Sequence, residues 1–187
     1  MSTSTNKHHL RVRALCEGAI FVAIAQVLSY LKLFGDMVNG GSITFAAFPI
    51  ILYALRWGVG KGLIASFAFG LLQMFFDGAY AWGWQSMILD YIVAYTPLGL
   101  AGLFKGKAWG IFPGAVLGNS LRFVVHFISG VTIYAEYVSP IFGWEGSSAT
   151  IYSILYNGSY MLPNTLIAVI AIALLQKPLR AFLEGKK

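Results

Sequence analysis

Six apolar runs, separated by short polar stretches, leave this chain few ways to fold. They cover about 14–34, 43–55, 59–76, 86–104, 110–134 and 149–175. A helix that crosses a bilayer needs about 17–25 mostly apolar residues, and only the second run falls short. That run also contains Pro49, so it is expected to be tilted, flanked by semi-polar residues or wrapped in protein. A closed barrel would need many alternating segments of about 10 residues, and these are absent. The expected fold class is therefore all-α, an integral membrane bundle of six helices. Only 11% of the 187 residues are charged, against about 25% in soluble domains. No hydrophilic stretch is long enough for a second domain. A single transmembrane domain over 1–187 is expected, with basic tails at 1–13 and 176–187. The apolar run after residue 13 is too long for a signal-peptide core, so it is read as a retained first helix.

The charges give the bundle a direction. Lys7, Arg11 and Arg13 precede the first run; Arg56 and Lys61 lie between the second and third. Lys105 and Lys107 follow the fourth run, and Lys177, Arg180, Lys186 and Lys187 follow the sixth. These are 11 of the 13 basic residues, and six alternating spans put them all on one side. The opposite loops hold Lys32, Asp36, Asp77, Glu136 and Glu145. By the positive-inside rule both termini are expected in the cytoplasm. Spread between apolar runs in this way, the net charge of +6 reports membrane topology and gives no amphipathic element for nucleic acid. Cys16 is the only cysteine, which excludes an intrachain disulfide.

Polar side chains inside apolar runs carry the functional information. In the fifth run, Arg122, His126, Gly130 and Tyr134 fall along one slowly rotating stripe of a helix with about 3.6 residues per turn. A charge at membrane depth costs roughly 2.5–3.5 kcal/mol on insertion scales, so such residues face a protein interior or a polar cavity. Asp90 is the one carboxylate deep in a run, followed by Tyr91. Arg122, His126 or a bound cation are its possible partners, and an internal Asp90–Arg122 ion pair without any ligand is the plainer alternative. The sixth run opens with Tyr152, Tyr156, Asn157 and Tyr160. Tyr152 and Asn157 are five apart, so they share a pocket only if it is wide or the helix start is irregular. In the outer loop after the third run, Tyr80, Trp82 and Trp84 suit either an aromatic belt or a cover over a site. Small residues four apart, Ala19 and Ala23, allow another helix to approach the first run closely. Pro49, Pro97 and Pro163 are expected to mark kinks.

Several chemistries are excluded by motif. The run Trp57–Gly62 lacks the spacing of a phosphate loop. No zinc-protease or serine-hydrolase motif is present, and with His8 and His9 in the N-terminal tail the three histidines form no compact metal triad. No nucleotide-binding domain is present, so any use of ATP requires a partner. One carboxylate, one imidazole, one amide and several tyrosines form a recognition set. It suits a flat, positively charged, nitrogen-rich ligand, since aromatic faces attract such cations by about 0.5–2 kcal/mol each.

At these residues the chain resembles a known family. The stretches Gly40-Gly-Ser-Ile, Phe48-Pro-Ile, Arg56-Trp-Gly-Val, Leu89-Asp-Tyr-Ile-Val-Ala, Leu121-Arg-Phe-Val-Val-His-Phe-Ile-Ser-Gly and Ile151-Tyr-Ser-Ile-Leu-Tyr-Asn-Gly-Ser-Tyr-Met-Leu-Pro lie in order. They are similar to the thiamin-specific substrate-binding subunits, or S components, of energy-coupling factor transporters. The resemblance implies a six-helix, multi-pass protein of the bacterial plasma membrane, without enzymatic activity or cofactor, that holds thiamin near its extracellular side. It implies binding roles for Tyr80, Asp90, Tyr91, Arg122, His126, Tyr134, Tyr152 and Asn157. Asp90 would balance the thiazolium or accept from the aminopyrimidine. His126 and Tyr134 would stack on a ring, Tyr152 and Asn157 would read the pyrimidine edge, and Arg122 would orient the site or hold Asp90. Tyr134 stands where some members have tryptophan and Asp90 where some have glutamate. Ala19 and Ala23 would dock on a transmembrane coupling subunit, powered by two ATPase subunits, with membrane lipid around them and no nucleic acid. The alternatives are an S component for another vitamin or precursor, or an autonomous proton-coupled thiamin carrier with Asp90 and His126 as its relay.

Overall fold

The computed structural model describes residues 2–37, 39–137 and 148–183. Glu145, Lys186 and Lys187 lie outside the described residues. Six helices account for the bundle: α1 Ser2–Ser29, α2 Ala47–Trp57, α3 Val59–Asp77, α4 Gly83–Phe104, α5 Ile111–Thr132 and α6 Ala149–Leu183. Each expected apolar run holds a helix, although 30–34 and 43–46, at the facing ends of the first two runs, lie in the connecting loop. α1 extends back through the basic N-terminal stretch, and α6 extends beyond the expected end at 175. Five of the six are long and apolar enough to cross a membrane, and α2 is not.

α2 resolves the question raised by its length. Nine of its eleven residues are buried, and it packs against α1, α3, α4, α5 and α6. A helix that is apolar all round is a core helix, so this one is wrapped in protein and has no need to reach both membrane surfaces. Around it sit the fully buried side chains of Phe69, Leu98 and Ile172. Lipid tails are as apolar as leucine, so such a core is held by close packing more than by exclusion of water. Gly99 illustrates this: a Cβ there would lie 2.4 Å from the Leu63 backbone nitrogen, so α3 and α4 touch backbone to backbone. The outward faces carry Leu15, Phe75, Leu166 and Leu174, all exposed, as a lipid-facing surface requires.

α4 departs from regular winding. It begins with one α-helical turn, passes through a π-helical stretch at Met87–Val93, and ends as a 3-10 helix at Thr96–Phe104. Pro97 opens the 3-10 part, where the winding changes, and Thr96 Oγ1 donates to the Ile92 carbonyl. Pro49 corrects the expectation of a kink in α2. It is the third residue of that helix, in the first turn, whose backbone N–H groups have no intrahelical partner to lose. Pro163 does lie inside α6.

The loop between α1 and α2 folds over one end of the bundle. Asp36 and Ser42 pair in a short antiparallel bridge, with Gly40 at φ 83° making the reversal. Asn164 of α6 holds the loop from both sides of its amide. Its Oδ1 accepts from the Thr44 N–H at 2.8 Å and its Nδ2 donates to the Ser42 carbonyl at 2.8 Å. Lys32 adds a second anchor, bridging Asp36 at 2.6 Å and Asp77 at 3.1 Å. Burial alone would depress this lysine, but the two carboxylates outweigh it and hold its ammonium above the usual lysine range.

Candidate ligand-binding site

Beneath that loop lies a cavity enclosed by α3, α4, α5 and α6. All eight residues singled out in the sequence line it: Tyr80, Asp90, Tyr91, Arg122, His126, Tyr134, Tyr152 and Asn157. The stripe on α5 explains part of the convergence, since a regular helix presents Arg122, His126 and Gly130 to one side. Gly130 is required by the approach of α6. A Cβ at this position would stand 2.2 Å from Ser153 Oγ, so any side chain would force the two helices apart.

Asp90 occupies the centre, inside the π-helical stretch of α4, a winding often found at functional sites. One carboxylate oxygen lies 3.1 Å from His126 Nδ1; the other accepts from Ser86 Oγ at 2.7 Å and Ser129 Oγ at 2.8 Å. Ser86 Oγ also lies 2.8 Å from the Tyr134 hydroxyl, which ties the aromatic wall to the carboxylate. The contact with Asp90 assigns a proton to Nδ1 of His126. Nε2 then faces inward as an acceptor, buried and without a protein partner.

Arg122 is not the counter-ion of Asp90. Its guanidinium lies 4.0 Å from the centre of the Tyr95 ring and donates to the Tyr95 hydroxyl at 2.8 Å, while its Nε has no partner. The internal Asp90–Arg122 pair is therefore not formed. Behind Tyr95 the polar chain continues: Gln73 Nε2 donates to Gln26 Oε1 at 2.9 Å and to Ser29 Oγ at 3.0 Å. This buried array fixes the Arg122 side of the cavity from α3 and α1.

The α6 wall is more heavily engaged than its sequence suggests. Asn157 Nδ2 donates to the Ser153 carbonyl at 2.9 Å, to Ser153 Oγ at 3.1 Å and to the His126 carbonyl at 3.3 Å. Its Oδ1 accepts from Tyr160 at 2.7 Å. One acceptor lone pair is left for a ligand, so the amide's main task here is joining α5 to α6. Tyr152 and Tyr156 stack at 5.7 Å with planes 3° apart. Their hydroxyls reach the loop: Asn39 Nδ2 donates to Tyr152, and the Gly41 N–H donates to Tyr156, both at 3.0 Å. Tyr91 donates to the Asp77 carbonyl at 2.6 Å, and the Tyr80 carbonyl lies 3.4 Å from the Tyr134 hydroxyl.

Sequence reasoning missed Asn39, Ser86, Ser129, Tyr95 and the lining roles of Tyr156 and Tyr160. Ser86 carried a usable signal, because it lies one turn before Asp90. Ser129 and Asn39 carried none that separates them from ordinary small and loop residues. Ala19 and Ala23 lie away from the cavity on the exposed face of α1. Among the described residues no three His, Cys, Asp or Glu converge as a metal site.

A helical membrane bundle that closes a polar, aromatic-walled cavity around the Asp90 carboxylate defines a transport protein for a small solute. Comparison with known proteins makes this particular. The chain belongs to the thiamine transporter protein family (Thia_YuaJ), whose profile matches residues 15–183. It is 34% identical over 175 residues to the thiamine transporter ThiT of Bacillus subtilis (strain 168), covering 86% of this chain and 88% of that one. It is 27% identical over 188 residues to the thiamine transporter ThiT of Lacticaseibacillus paracasei, covering 90% and 89%. The structure of ThiT from Listeria monocytogenes superposes with a TM-score of 0.78 at 27% identity, over 90% of this chain and 95% of that one. The expected fold class and the family resemblance are both borne out.

Proposed function

We propose that this chain is the thiamin-binding S component of an energy-coupling factor transporter and that thiamin occupies the cavity around Asp90. The observation that carries the reading is the state of that carboxylate. It lies within an apolar membrane-spanning helix, its side chain only 13% exposed, with hydroxyl and imidazole partners, while the nearby guanidinium of Arg122 is committed to Tyr95. A thiazolium cation supplies the charge that is missing, and the Tyr134, Tyr152 and Tyr156 rings supply flat surfaces beside it. His126 Nε2 suits a donor such as the aminopyrimidine amine. Asn157 then acts mainly by holding His126 and Tyr160 in place. Chemistry on the ligand plays no part. Energy comes from two partner ATPases through a coupling subunit that docks at Ala19 and Ala23, whose small side chains face outward on α1. The basic end of the bundle is cytoplasmic, and the cavity opens to the other side.

Tryptophan fluorescence of the purified protein tests this against a panel of vitamins. Thiamin is expected to give a saturable change at lower concentration than any other. A stronger response to a ligand lacking a fixed positive charge would overturn the assignment. The 3.1 Å Asp90–His126 contact favours a second reading, a proton-coupled carrier. Thiamin uptake into proteoliposomes containing this chain alone, abolished by collapsing a proton gradient, would establish it.

A further inference from the structure

Arg122, on the cavity wall, also starts a chain of hydrogen bonds that leaves the cavity. Its guanidinium donates to the Tyr95 hydroxyl at 2.8 Å, which donates in turn to Gln73 Oε1 at 3.4 Å. Gln73 Nε2 donates to Gln26 Oε1 at 2.9 Å and to Ser29 Oγ at 3.0 Å. Gln26 Nε2 donates to the Tyr30 hydroxyl at 3.1 Å. Every one of these donors points the same way, from α5 through α4 and α3 to the end of α1.

That direction is imposed by the charge. A guanidinium has five N–H donors and no acceptor, so the Tyr95 oxygen accepts from it and turns its own proton onward. Gln73 must then present its carbonyl oxygen to Tyr95 and its amine to α1. Reversing Gln73 alone would set its oxygen against Gln26 Oε1, two acceptors face to face. Gln73 is 1% exposed, so water does not compete for its amide, and hydrogen bonds in such a buried chain strengthen one another.

The two ends are less settled than the middle. At the cavity, Arg122 Nε is buried without a partner, and among the described residues Tyr95 alone holds the guanidinium. At α1, the Tyr30 and Leu31 N–H groups reach the Val27 and Leu28 carbonyls at 3.2 and 3.3 Å, and the backbone then enters the loop over the cavity.

We propose that Gln73 is a positioning residue for thiamin binding, acting through Tyr95 on Arg122, and that the same chain carries the state of the cavity to the last turn of α1. The inference rests on thiamin occupying the cavity. Thiamin has acceptors in its pyrimidine nitrogens and its hydroxyl. One of them at Arg122 Nε fixes the guanidinium, and with it the direction of every bond out to Tyr30.

The test is a double-mutant cycle on the full chain, with thiamin titrated by tryptophan fluorescence into wild type, Gln73→Met, Arg122→Met and the double variant. Methionine keeps the length of the side chain and removes its amide. Gln73→Met is expected to weaken thiamin binding about 10-fold, within the range of coupled sites. The loss should shrink to about twofold when Arg122 is already replaced, since a residue that acts through Arg122 then has nothing to act on. Hydrogen exchange reads the other end. Saturating thiamin is expected to slow exchange at 27–31 about fivefold in the wild type. In Gln73→Met that slowing should vanish, while protection at 39–42, over the cavity, stays. If Gln73→Met does not elute as a monodisperse peak, Gln26→Met breaks the same chain one link further out and is held to the same criteria. Equal losses in both backgrounds, as a purely structural role would give, would overturn the proposal, and so would slowing at 27–31 that survives the substitution. A wild type that does not bind thiamin would overturn the functional reading, and this inference with it.

Discussion

Two carboxylates lie within the apolar span of this chain, and the molecule treats them in opposite ways. Glu17, at the basic end, is surrounded by Arg13, Arg56 and Trp57. Arg56 in turn reaches the Phe182 carbonyl and lies 4.1 Å from the centre of the Phe182 ring. That cluster is complete, and it clamps the end of α6 to α1 and α2. Asp90, in the cavity, has two serines and a histidine, with no guanidinium or ammonium bonded to it. The contrast separates a charge that holds the fold from a charge kept ready for something that arrives. Breaking a buried pair leaves its partner uncompensated, whereas altering an unanswered carboxylate removes an attraction that the empty protein does not use.

The largest effect should therefore come from Asp90→Asn. Thiamin affinity is expected to fall at least 100-fold, with a thermal midpoint within a few degrees of wild type. Titration and melting of the same preparation check both halves, and unchanged affinity would sink the site assignment. Glu17→Gln should do the reverse. It strands Arg56, which is 7% exposed, at a cost of about 2–3 kcal/mol, lower than for a fully buried pair because Glu17 is partly open. Thiamin affinity should stay within twofold; a large loss would mean that the two ends are coupled. Tyr95→Phe is intermediate in kind. It leaves Arg122 without its hydroxyl acceptor, worth about 1–2 kcal/mol, and should weaken thiamin binding by about tenfold with only a modest change in melting.

The smallest effect belongs to Lys32. Because its ammonium is held above the usual lysine range by Asp36 and Asp77, its contribution is fully present below the unfolded-state value of about 10.4. It is lost as pH rises through the higher folded value. The difference in melting between wild type and Lys32→Met should be within about 1 kcal/mol, constant from about pH 7 to 9, and smaller above about pH 10.5. A difference that grows with pH would contradict the bridge.

Much of the arrangement was legible beforehand, for identifiable reasons. Apolar length marks a membrane helix directly, and a charge within such a run is conspicuous, so α1 to α6, Asp90 and the α5 stripe could be read one residue at a time. The partnerships could not. Arg122 had Asp90 as its obvious mate by charge, yet a tyrosine face and hydroxyl on α4 hold it. Asn157 looked like a ligand reader although Ser153 and Tyr160 stand four and three residues away on its own helix, and nothing local announces the His126 carbonyl on α5 that its amide also reaches. The π and 3-10 windings of α4 were invisible to a count based on 3.6 residues per turn. The α1–α2 loop was equally silent, since its grip on α6 depends on Asn164, a distant side chain with no local signature.

The burial of α2 bears on how the protein is made. Eleven residues rise roughly 16 Å at ~1.5 Å each, so this helix cannot bridge the bilayer alone, and it carries Arg56 into the interior. A nascent chain that has emerged only as far as α2 has no stable place to put it. Its settling must await α3 to α6, so biogenesis is a concerted step in which late helices rescue an early one. Chains truncated after α3 should be recognised by quality-control proteases, even though every residue of α2 is present.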